Sequence, residues 1–158
     1  MTETDEFLTF YNRALFFLKF RPRSRFEIES FLKRKKASEV VKNQVIEKLE
    51  NLNLINDKEF ARWFIDQRQQ FRPRGKMLLT LELRQKGISP EVIAEALTTI
   101  DASSQTEKAI ELLERKINLW REKDIRVLRK KAQDFLLRRG FSYAVVRDAV
   151  QKVIDRGE

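Results

Sequence analysis

Two identical tetrapeptides, Phe20-Arg-Pro-Arg23 and Phe71-Arg-Pro-Arg74, stand 51 positions apart in a chain of 158 residues. Recurrence at that period is the signature of an array of short structural units, and it constrains the fold more than any local feature. A second pair extends the array. Leu83-Arg-Gln-Lys-Gly-Ile-Ser89 recurs as Leu136-Leu-Arg-Arg-Gly-Phe-Ser142, 53 positions on. After each, apolar residues return at the i, i+3, i+4 spacing of one helix face: Val92, Ile93, Ala96, Leu97 and Ile100, then Val145, Val146, Ala149, Val150 and Val153. The chain therefore divides into three copies, at residues 1–55, 56–102 and 103–158. A unit of this size has a marginal core alone and gains stability by burying faces against its neighbours.

The local signals within each copy are helical. Only four Gly and three Pro interrupt the chain, so long helices are favoured over hairpins. Ser24-x-x-Glu27 and Ser104-x-x-Glu107 have the capping-box form, and Asn56 with Glu59 has it more loosely. Ser89 stands before Pro90 and Ser142 before the Val145 stripe, while Gly87 and Gly140 terminate the preceding helices. Pro22 and Pro73 separate the first and second helices of the first two copies. The spacing predicts nine helices, at 4–19, 24–36, 38–52, 56–71, 75–86, 89–100, 104–121, 124–138 and 142–156. At Glu122-Lys-Asp124 two readings stand: Asp124 caps a new helix, or one long helix runs through. The expected architecture is all-α, three tandem three-helix repeats forming an elongated, curved, modular body.

Several chemistries are excluded at once. The sequence contains no Cys and no His, hence no thiolate cluster, no disulfide and neither the commonest metal ligand nor the commonest general base. No Gly-rich phosphate loop is present, and Asp57, Glu59 and Asp66 read as helix-start and surface carboxylates, so no metal, cofactor or enzymatic activity is expected. The acidic start Met1-Thr-Glu-Thr-Asp-Glu6 and the lack of a long apolar run predict a cytoplasmic protein away from membranes, and a monomer is expected because repeat arrays with capped ends need no partner copy for solubility.

A net charge of +9 points to an anionic partner. The candidate contacts fall at the interhelix elbows (Arg21, Arg23, Arg25; Arg72, Arg74, Lys76) and at the ends of the middle helices. The latter are Lys33 to Lys36 in the first copy, Arg84 and Lys86 in the second, and Arg138 and Arg139 in the third. Arg126, Arg129 and Lys130 join them from the last third, the most basic part of the chain. Cations near a helix C-terminus also complement the helix dipole, so the helix-end set has a purely structural reading too. Sequence-specific DNA reading by the third helix of each copy is a rival function, but residues 89–100 carry no Lys, Arg, Asn or Gln to address base edges. Phe60, Trp63, Phe64 and Phe71 share one face of the fourth helix and are expected in the core.

In their order along the chain, these residues resemble the RecX family of bacterial recombination regulators. The segments that carry the resemblance are Arg23-Ser24 with Glu27 and Leu32, Asp57-x-Glu-Phe-Ala61, Gly75-Lys76 with Glu82-Leu83, Lys86-Gly87-Ile88, Phe135-Leu136 and Arg138-Arg-Gly-Phe141. The resemblance implies a modulator of the RecA recombinase filament on DNA. Such a protein lodges in the filament groove and inhibits RecA ATPase and strand exchange, within recombinational DNA repair and the SOS response. Single- or double-stranded DNA is implied as a further partner, and no catalytic residue is implied. One departure is plain: the first copy has Lys35-Lys36-Ala37 where the others have a basic residue followed by Gly, and its third helix is extended by about four residues relative to the second copy.

Overall fold

The computed structural model describes residues 2–155. Among them the chain forms nine α-helices and no strand: α1 (Glu3–Leu18), α2 (Arg25–Arg34), α3 (Glu39–Asn51), α4 (Asp57–Phe71), α5 (Lys76–Gln85), α6 (Pro90–Leu97), α7 (Ala102–Trp120), α8 (Ile125–Arg138) and α9 (Tyr143–Val153). Helix α9 stops short of the expected end, and Arg156 lies outside the described residues.

The expected caps explain most helix starts. Ser24 Oγ accepts the Glu27 N–H at 3.1 Å while the Glu27 carboxylate accepts the Ser24 N–H, closing the capping box. Asn56 Oδ1 accepts the N–H groups of Lys58 and Glu59, and Ser89 and Ser142 accept those of Val92 and Val145. The third copy differs from expectation. Its first helix begins earlier, at Ala102, and Asp101 rather than Ser104 is the cap, its carboxylate accepting the Ser104 N–H at 2.6 Å. A charged acceptor at a helix N-terminus outcompetes a hydroxyl three residues on. Helix α6 is also shorter than its apolar stripe suggests. Thr98 and Thr99 turn their hydroxyls back onto the carbonyls of Glu95 and Ala96, and the Thr98 and Ile100 N–H groups tighten to three-residue bonds.

One C-terminal device ends all three middle helices. The middle helices end with a residue at positive φ: Lys36 (66°), Gly87 (77°) and Gly140 (85°). The next N–H then reaches back five residues, from Ala37 to Leu32 O, Ile88 to Leu83 O and Phe141 to Leu136 O. Lys36 thus adopts the conformation that glycine adopts in the other copies, so the departure in sequence leaves the turn intact. The extension of the first copy lies in α3, thirteen residues long against eight for α6. Helices α7 and α8 are separate. Arg121 turns left-handed at φ 53° after α7, and Asp124 caps α8 by accepting the Arg126 N–H.

The chain forms two compact units, Met1–Phe64 with Leu83–Ile93, and Ile65–Glu82 with Ala94–Glu158. Their boundaries fall inside α4, α5 and α6, so the middle copy is shared between them. In the first unit, Phe10 and Ala14 of α1, Ile28 and Leu32 of α2, and Val41, Val45, Ile46 and Leu49 of α3 form a continuous core. In the second, Ala109, Leu112 and Leu113 of α7 meet Ala132, Phe135 and Leu136 of α8 and Val145, Val146, Ala149 and Val150 of α9. Burying a side chain of this size contributes about 1.5–3 kcal/mol, so these stripes dominate the stability of each unit. The aromatic face of α4 is divided. Phe60 and Phe64 are buried and Trp63 is half-buried, but Phe71, expected in the core, is 68% exposed. Helical period fixes which face Phe71 shares, whereas its place as the last residue of α4 leaves it uncovered.

Candidate functional site

The elbow arginines and the middle-helix ends, which look like two separate basic sets in sequence, come together in each unit. In the first unit the elbow before α2 packs on the end of α5. Ser24, fully buried, donates its hydroxyl to the Lys86 carbonyl at 2.7 Å across 62 residues. Gly87 lies so close to Phe26 that a Cβ there would sit 2.7 Å from Phe26 Cγ. The Glu27 carboxylate is the electrostatic centre. It accepts two bonds from Arg21 (3.2 and 2.5 Å) and one from the Ser24 N–H (3.1 Å), with Lys86 Nζ at 3.5 Å. Burial alone would raise its pKa. The bonds from Arg21 and Ser24 and the charges of Arg21 and Lys86 outweigh that and hold it below the ordinary carboxylate range.

The second unit repeats the junction one copy later, with the elbow before α5 packed on the end of α8. The Gly75 N–H donates to Arg139 O at 2.8 Å and the Met77 N–H to Gly140 O at 3.3 Å. Gly75 stands where the first copy has Ser24. A Cβ at Gly75 would overlap Gly140 O, and one at Gly140 would overlap Leu78, so both glycines are needed for the approach of two backbones. Glu82 is the anion here, held by Arg68 Nε at 2.9 Å and by Arg74 Nη1. Lys76 is fixed through its N–H, which donates to the buried Gln105 side chain at 3.1 Å. The Arg139 guanidinium is pushed below its ordinary value, first by burial and then by the charges of Arg74 and Arg72. Arg72 and Arg74 thus repel Arg139, and Glu82 compensates the charge of Arg74.

The thirteen candidate cations separate into three groups. Arg21, Arg25, Arg74, Lys86, Arg129 and Lys130 form ion pairs, with Glu27; Glu29 and Glu50; Glu82; Glu27; Asp155; and Asp134 respectively. Arg23 and Arg139 lie on aromatic rings, at 3.7 Å from the Phe17 centroid and 5.2 Å from that of Phe135. Burial, followed by the charge of Arg21, also lowers the pKa of Arg23. Arg72, Arg84, Arg126 and Arg138 are exposed and make no ion pair among the described residues, and Lys76, half-buried, makes none either. Part of the basic inventory thus holds the junctions closed, while the remainder is available as positive charge. The roles of Glu27 and Glu82 as organising anions escape sequence reading. Glu27 shows there only as a cap, and nothing local marks Glu82 as the partner of Arg68 and Arg74.

Among the described residues, no group of three or more His, Cys, Asp or Glu side chains is placed to hold a metal ion, and no helix is long and apolar enough to cross a membrane. The molecule is an all-helical tandem-repeat protein with a cationic junction in each unit. Comparison with known proteins makes the assignment specific. Models of RecX match in register: the first three-helix domain at residues 11–49, the second at 56–97 and the third at 103–150. The regulatory protein RecX of Prosthecochloris aestuarii is 36% identical over 143 residues, covering 90% of this chain and 92% of that protein. That of Chlorobium phaeobacteroides is 35% identical over 153 residues, covering 97% and 98%. The Bacillus subtilis protein of the same name is 35% identical over 94% of this chain, which spans only 56% of its length. The crystal structure of RecX from Lactobacillus salivarius superposes with a TM-score of 0.85 at 30% identity, covering 95% of this chain and 97% of that one. The chain belongs to the RecX family of regulatory proteins.

Proposed function

We propose that this protein regulates the RecA recombinase by binding the RecA–DNA filament, inhibiting its ATPase and strand exchange and so restraining recombinational repair. It acts as a cytoplasmic monomer with three functional repeats, at 1–55, 56–102 and 103–158, and performs no covalent chemistry of its own. The observation that carries the reading is the recurrence of a cationic elbow junction at equivalent places in two copies of a RecX-family chain. Arg21, Arg23 and Lys86 surround one, and Arg72, Arg74, Lys76 and Arg139 the other. Positive charge that recurs from one copy to the next suits a partner with acidic protein surface and phosphate backbone. The exposed Arg72, Arg84, Arg126 and Arg138 are the residues assigned to first contact, with the paired cations setting the shape behind them.

RecA's DNA-dependent ATPase tests this. Purified protein added at stoichiometric excess suppresses the steady-state rate, and an unchanged rate overturns the proposal.

The same four exposed arginines support a second reading, a DNA-binding module that acts without RecA. Its mark would be tight binding to bare DNA that falls steeply with salt, because each phosphate contact releases a counterion. Absence of any mobility shift at low salt would dispose of it.

A further inference from the structure

The first unit also carries an apolar groove beside the elbow, which Phe20 of the Phe20-Arg-Pro-Arg23 segment helps to line. Phe16 near the end of α1 and Phe20 in the turn that follows it are 62% and 67% exposed. Together with Phe17 of α1 and Phe31 of α2 they wall a groove of about 690 Å³, whose lining Asn12, Arg13 and Lys35 complete. That volume lies in the range of sites that take ligand-sized groups. No carboxylate lines the groove among the described residues, and Lys35 belongs to the basic run Lys33 to Lys36.

Ring geometry and lining charge together favour one class of occupant. A nucleobase needs a free aromatic face on which to stack. Phe17 has none, since it stacks on Phe31 at 4.3 Å with 13° between planes and carries the Arg23 guanidinium 3.7 Å from its centroid. Phe16 and Phe20 meet edge to face at 5.2 Å and 86°. The Phe17–Phe31 stack and the perpendicular Phe16–Phe20 pair give the groove stepped apolar walls, suited to a Leu, Ile, Met or Phe side chain. The Phe16 and Phe20 rings touch, at 5.2 Å between centroids, and form one continuous apolar patch against which anchors one turn apart on a docking helix can rest.

We infer that this groove is a docking site for an acidic amphipathic segment of a partner protein, which inserts two large apolar side chains between Phe16, Phe20 and Phe31 and sets its carboxylates against Arg13 and Lys35. The site concerns the chain alone and holds whichever protein supplies the segment, so it stands or falls separately from the RecA assignment.

The test uses the full chain and a fluorescein-labelled helical peptide of Glu and Ala with two Leu four positions apart, read by fluorescence anisotropy. Three comparison probes accompany it: the same peptide with Ser for Leu, the same with Lys for Glu, and an oligothymidine. The anchored acidic peptide binds saturably. The double variant Phe16→Ala/Phe20→Ala weakens it by about tenfold or more with unchanged thermal unfolding, since both side chains are exposed and truncation removes only the apolar contact. Lys35→Glu weakens the acidic peptide and strengthens the Lys peptide. The inference is overturned if the Ser peptide binds as well as the Leu peptide, if the double variant binds unchanged, if oligothymidine displaces the peptide from the groove, or if no probe binds at millimolar concentration.

Discussion

Substituting Gly140 by Ala measures how closely two copies interlock in the second unit. Gly140 has φ 85°, and a Cβ there would lie 2.5 Å from Leu78 N and closer still to Leu78 Cβ. The left-handed backbone costs a non-glycine residue about 1–2 kcal/mol. The overlap adds more, because it is with the backbone and Cβ of Leu78, which cannot swing aside. Relief requires the elbow to withdraw, which strains or breaks the Gly75 N–H to Arg139 O and Met77 N–H to Gly140 O bonds, worth about 1 kcal/mol each. The expected loss is about 3–4 kcal/mol, large on the scale of single substitutions. Urea denaturation followed by circular dichroism reports it as a lowered midpoint with little change in slope. A loss of no more than about 2 kcal/mol, the most that the left-handed conformation alone should cost, would refute the close approach of the two backbones.

Ser24→Ala removes a cap and orphans the Lys86 carbonyl at a fully buried position, so the first unit should lose about 2 kcal/mol in the same assay. Lys36→Gly relieves a positive φ at an exposed residue and should stabilise by up to about 1 kcal/mol, seen as a raised urea midpoint. The pH dependence follows from Glu27. Its folded pKa is depressed, so its contribution is complete above the unfolded value of about 4.3 and is lost as pH falls through the folded value. The acid limb of stability against pH should therefore be shallower in Glu27→Gln than in the parent protein, as urea midpoints taken between pH 6 and about pH 3 would reveal.

The sequence is legible where the physics is local. Helix starts follow from Ser24, Asn56, Ser89 and Ser142 because each cap binds an N–H within three residues. Where two local signals compete, the stronger chemistry wins, as Asp101 does over Ser104 and as the Thr98 and Thr99 hydroxyls do over the apolar stripe of α6. The junctions are a different matter. Ser24 and Lys86, or Gly75 and Arg139, are more than sixty residues apart, and recurrence shows that such positions are equivalent without showing that an elbow of one copy meets a helix end of the next. Hence the arginines that look most like free contact residues, Arg21 and Arg74, prove to be tied to Glu27 and Glu82. Likewise Phe71 shares the apolar face of α4 yet stays exposed, because periodicity reveals a direction and not what stands opposite.

Direct binding to RecA filaments assembled on single-stranded DNA is the most decisive measurement, made by co-sedimentation with the wild-type chain and with a variant carrying Ala at Arg72, Arg84, Arg126 and Arg138. These residues are exposed and make no ion pair among the described residues, so the variant should unfold at the wild-type temperature. The account predicts that the wild-type protein sediments with the filament and that the variant binds at least about tenfold more weakly, through loss of several charge contacts. A wild-type protein that stays in the supernatant, or a folded variant that binds equally well, would contradict it.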